Sequence, residues 1–125
     1  MNKQRLQILA DHLKSVPLKA LNMEVWRCGT TACAFGHACE IPSFVRAGLA
    51  VADHGENCYG QRYWPTFLDC EGFEAAELFF EITSDAAQHL FDLRCYTGKP
   101  RPATVAKRIE KLVAKATPTK QREAV

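Results

Sequence analysis

No stretch of this sequence approaches the roughly 20 consecutive apolar residues that a membrane-spanning helix needs, because Glu, Asp or Arg interrupts each of its longer apolar clusters. The leading residues, MNKQRLQILA, lack the basic start, unbroken apolar run and small-residue cleavage site of a secretory signal. Together these absences make a soluble cytoplasmic protein the expectation. There is no internal repeat and no low-complexity tract, which excludes solenoid and linker-like architectures. Nor is there an alternating apolar and polar run long enough to argue a sheet. No complete catalytic constellation and no established zinc spacing stands out, so an enzyme is not favoured and no cofactor is expected.

What the chain does have is enough apolar material for one core. At 125 residues with 47% hydrophobic side chains it suits a single domain, since two halves would each be too small. Six cysteines, Cys28, Cys33, Cys39, Cys58, Cys70 and Cys95, are read as reduced thiols, several of them small core residues, because no secretory context accompanies them. Charge is segregated. Residues 53–93 carry nine acidic side chains against Arg62 alone, while residues 98–125 carry eight Lys or Arg against Glu110 and Glu123. A basic C-terminal helix could meet nucleic acid, but the acidic middle would oppose it, so that partner is not favoured.

Helical spacing dominates the pattern. Leu6, Leu9, Leu13 and Val16 recur at three and four residues, predicting a helix over 2–16 that Pro17 ends. Gly29 and Thr30 read as the start of a second helix running to about Glu40, and Ser43 as the cap of a short third one through Phe44, Val45, Leu49 and Val51. Residues 52–72 form the longest irregular stretch. Its Tyr59, Arg62, Tyr63 and Trp64 are the candidate contact residues for a partner. Phe73, Ala76 and Phe80 share one helical face, Thr83 caps the next helix, and Pro102 opens a last one whose stripe is Val105, Ile109, Leu112 and Val113. The expected architecture is therefore all-α, a bundle of five to six short helices spanning 1–116 with one long aromatic loop. From 117 to 125 a flexible tail is expected.

The chemically suggestive stretch is CGTTACAFGHAC. Cys28, Cys33 and His37 can all ligate zinc, and on one helix Cys33 and His37 would face the same side. Cys39 would point away. His54 and Cys58 supply a second pair that could complete a Cys2His2 set. Alternatively, Cys28 at a helix start could be a thiolate nucleophile in a small thiol enzyme, although His37 would be about 10 Å further along that helix and out of reach as its base. The bland reading of the stretch, buried thiols beside a hydrogen-bonded histidine, is preferred to both.

Three groups of residues occur in an order that resembles a family of small uncharacterised bacterial and phage proteins. They are Met23 and Trp26 ahead of CGTTACAFGHA, then AAELFFEITSDAAQHLF, then Tyr96 with PATVAKRI. The shared string is W-x-C-G-T-x-A-C-x-x-G-H/W-A. The resemblance implies an independently folding helical unit and brings no activity or cofactor. Because tryptophan can stand at the position of His37 in similar proteins, it also implies that His37 is no obligatory ligand. The function expected is that of a phage-type or mobile-element accessory protein that binds a macromolecular partner, a host-directed inhibitor being one version.

Overall fold

In a computed structural model of the chain, residues 1–28, 31–53 and 63–124 are described, with side chains given outside 27, 28 and 116–124. Helix α1 (Lys3–Leu13) begins where the Asn2 side chain accepts the Arg5 N–H, and it buries Leu6, Leu9, Ala10 and Leu13 on one stripe. It stops short of Pro17. The Ser15 hydroxyl donates to the His12 carbonyl at 2.7 Å, satisfying one of the acceptors that a helix end leaves open. A single 3-10 turn, Leu18–Ala20, then leads inward.

The expected helix over 30–40 is not what forms. Strands β1 (Arg27–Cys28) and β2 (Thr31–Ala32) pair antiparallel, Arg27 with Ala32 and Cys28 with Thr31, and helix α2 is only Ala34–Ala38. Helix α3 (Pro42–Arg46) is opened by Pro42 at its first turn rather than capped by Ser43, as suits a residue with no N–H to lose. Leu49 is buried beyond its end.

A three-stranded antiparallel sheet follows, built from β3 (Ala50–Asp53), β4 (Tyr63–Phe67) and β5 (Cys70–Glu71) in the order β3-β4-β5. The chain is thus mixed α/β, and the all-α expectation is overturned by this sheet. Pro65 sits in the central strand opposite Val51, yet β5 reaches only Thr66 and Phe67, so no β5 partner waits for the N–H that proline lacks. Helix α4 (Gly72–Phe80) packs back on the sheet, and α5 (Ser84–Phe91) begins where the Thr83 hydroxyl accepts the Ala86 N–H. The long helix α6 (Pro102–Ala124) lies against α1, with Val105 and Ile109 fully buried.

Phenylalanines join these layers. Phe67 of the sheet meets Phe79 of α4 at 5.0 Å between ring centroids, Phe79 meets Phe44 of α3 at 4.8 Å, and Phe80 lies 5.8 Å from both Phe35 of α2 and Phe91 of α5. Each such ring contributes about 2 kcal/mol through burial alone, so this chain of contacts makes one core from elements far apart in sequence. Arg5 closes its edge. The guanidinium stands 4.2 Å from the Phe79 ring centroid and donates to the Phe79 carbonyl at 2.9 Å.

Candidate functional site

The cysteine segment is where sequence chemistry pointed, and the fold uses it as a corner. Cys33 is the N-cap of α2, its Sγ accepting the Gly36 N–H at 3.4 Å and donating to the Trp26 carbonyl at 3.9 Å. Burial pushes the thiol up to about 11, and backbone N–H groups of Gly36 and Phe35, pulling the other way, do not reverse it. Cys33 is therefore a neutral thiol at ordinary pH and not a ready nucleophile. Gly36 explains part of the spacing. A Cβ there would stand 1.8 Å from the Trp26 carbonyl oxygen, so only glycine lets α2 press on that backbone.

His37 is also taken. Its Nε2 faces the Ala20 carbonyl at 2.7 Å and its Nδ1 faces Glu40 Oε2 at 3.1 Å. A carbonyl can only accept, so Nε2 carries the hydrogen, and Nδ1 is turned toward the Glu40 carboxylate. His12 Nε2 approaches the same Glu40 oxygen at 3.2 Å, so one carboxylate ties α1 to α2. This cluster lies beside a cleft of about 540 Å³ whose wall includes Ser15 and Lys19. Only His12 and Glu40 are accessible, at 29% and 32%, while the His37 side chain is 3% exposed and closed off from a reacting molecule.

Of the expected metal set, Cys33 and His37 thus turn to different partners, and the Cys28 side chain lies outside the described residues. Cys28 belongs to β1, not to a helix start, which removes the dipole that was to activate it. His54 and Cys58 lie outside the described residues. Among the described residues no group of three or more His, Cys, Asp or Glu side chains is arranged to hold a metal ion. Cys33, Cys39, Cys70 and Cys95 form no disulfide. Tyr59 and Arg62 also lie outside the described residues. Tyr63 and Trp64 are neighbours on β4 and half-buried, and successive strand residues point to opposite faces, so the two cannot form one stacking platform.

Two surface features carry contact chemistry that the sequence reading missed. The first is the tip between β4 and β5. Phe67 pairs with Cys70, leaving Leu68 and Asp69 as a two-residue turn with φ of 50° and 66°. Such turns favour Asn or Asp followed by Gly, because both residues are left-handed. Leucine is costly there, and this one is 69% exposed, with Asp69 beside it and the exposed Glu74 in the first turn of α4. The second is a groove of about 690 Å³ between the 18–20 turn and the start of α6. Leu18, which is 58% exposed, the buried Leu21 and Pro100 are apolar members of its lining, Lys19, Lys99 and Arg101 are its cations, and no acidic side chain is in the lining. No single residue type announced either feature. The tip needs the hairpin pairing, and the groove joins residues some 80 positions apart in the chain.

No helix among the described residues is long and apolar enough to cross a membrane. Compared with protein-family models, curated proteins and solved structures, the chain matches none of them.

Proposed function

We propose that this protein is a non-enzymatic binding module that engages a protein partner through the β4–β5 tip. The observation that carries this reading is Leu68, a large apolar side chain held 69% exposed in a left-handed backbone conformation. Residues kept in such conformations cost on the order of 1 to 3 kcal/mol and cluster where a molecule makes contacts. Solvation offers leucine no return for that cost, whereas insertion into a partner does. The chemically versatile side chains support the same reading from the other direction, because Cys33 and His37 are engaged in holding the fold.

A photo-crosslinking amino acid at position 68 tests this in extract of the source cells, with the exposed position 85 of α5 as control. Discrete protein adducts from position 68 and none from position 85 are expected. Equal labelling from both positions, or none from either, would sink the reading. The zinc and thiol-enzyme alternatives gain no specific observation. A phage or mobile-element origin likewise gains nothing from the comparisons.

A further inference from the structure

The tip and the groove are complementary in chemistry, and both belong to this chain. The tip presents one apolar knob, Leu68, with the carboxylate of Asp69 adjoining it. The groove presents an apolar lining together with three exposed cations, Lys19, Lys99 and Arg101. Its lining lacks acid, so an occupant with a carboxylate beside a hydrophobic side chain would bring the missing charge. We infer that the partner of the tip is a second copy of this chain, whose groove receives Leu68 and pairs Asp69 with the cationic rim. This rests on the tip being a contact site.

Because the two patches differ, the contact is heterologous, and each copy has one knob and one socket. The expected state is a concentration-dependent, head-to-tail association. A knob this small gives weak binding, with a dissociation constant on the order of 10⁻⁵ M. Rim cations near the protein surface are screened by salt, so affinity falls at least about tenfold between low salt and about 0.5 M. Competing occupants are an acidic segment of a different protein and a free small anion. The apolar lining argues against the small anion, and the presence of a matching knob on the same chain favours self-association.

The test is complementation by sedimentation velocity on purified full-length protein. Leu68→Asn removes the knob and suits the left-handed turn, so it folds. Lys99→Glu with Arg101→Glu reverses the rim, and acidic residues next to the start of α6 suit the helix dipole. Wild-type protein is expected to shift to larger species between about 5 and 500 μM. Each variant alone is expected to need at least about tenfold more protein than wild type for the same shift, its affinity being reduced by that factor. An equimolar mixture is expected to form a one-to-one pair and nothing larger, since only one intact knob and one intact socket can meet. A wild type monomeric throughout, variants that associate like wild type, or a mixture that stays monomeric would each overturn the inference. A monomeric wild type whose position-68 crosslinker still captures other proteins would overturn self-association while leaving the tip a binding site.

Discussion

The cysteine segment and the β4–β5 hairpin make opposite impressions in sequence and in structure. The segment from Cys28 to Cys39 gathers thiols and an imidazole, residues able to bind metal or attack a substrate, and the fold employs Cys33 as a cap and His37 as a brace. The hairpin offers only Phe67, Leu68, Asp69 and Cys70, none of them suggestive, yet it carries the exposed, conformationally costly side chain. Chemical capability in a residue type is a statement about what it could do if left available. Hydrogen-bond partners and burial decide whether it is, and Cys33 and His37 have both.

The sharpest way to break this contrast is at Gly36. Gly36→Ala forces a methyl into the Trp26 carbonyl and is expected to cost about 3 kcal/mol or more, read as a lower urea midpoint. A neutral result would mean that the corner is not close-packed. Next is Cys33→Ala, which removes the cap acceptor and leaves a small void, an expected loss of about 2 kcal/mol. Cys33→Ser keeps an acceptor and is expected to lose less. In mass-spectrometric alkylation at pH 8, a thiol of pKa about 11 is only about 0.1% thiolate, so Cys33 is expected to label long after the exposed Cys95. Early labelling of Cys33 would restore the nucleophile reading.

A smaller effect tests the edge of the core. Asp92, between α5 and the turn that follows it, accepts the Arg94 backbone N–H at 2.9 Å and pairs with its guanidinium at 2.7 Å. The guanidinium bond comes first in holding its carboxyl below the usual range, with the backbone bond adding to it and partial burial opposing. A depressed folded pKa means stability that is present above the unfolded value near 3.9 and lost as pH falls through the folded one. Asp92→Asn keeps the backbone acceptor and drops the charge. It is expected to flatten the fall of stability below about pH 4 only slightly, because Arg94 is 86% exposed. An unchanged acid limb in pH-dependent melts would remove the pair from the account of stability.

Much of the helical frame was legible. The stripes of α1 and α6 and the Thr83 cap of α5 follow directly from residue spacing, since a 3.6-residue period needs only local sequence. The strands were not legible, for identifiable reasons. β1, β2 and β5 are two residues long, too short for any period to show. Pro65 argues against a central strand, and Leu68-Asp69 lacks the glycine that marks a tight hairpin. Gly29-Thr30 between short segments fits a hairpin signal as well as a helix start, and the helix reading misassigned the cap by three residues, from Thr30 to Cys33. As for the site, the architectural role of Cys33 was legible in part from its burial tendency. The tip and groove were not, because both arise from pairing and juxtaposition.

Leu68 is where the contrast meets a single number. In urea unfolding at a protein concentration too low for association, Leu68→Asn is expected to raise stability by about 1 kcal/mol, because asparagine tolerates the left-handed turn and a leucine that is 69% exposed gives up little packing. A gain would show that the native residue is held at a cost that folding does not repay. A loss of stability would make Leu68 a structural residue and contradict the claim that the hairpin tip is kept for contact.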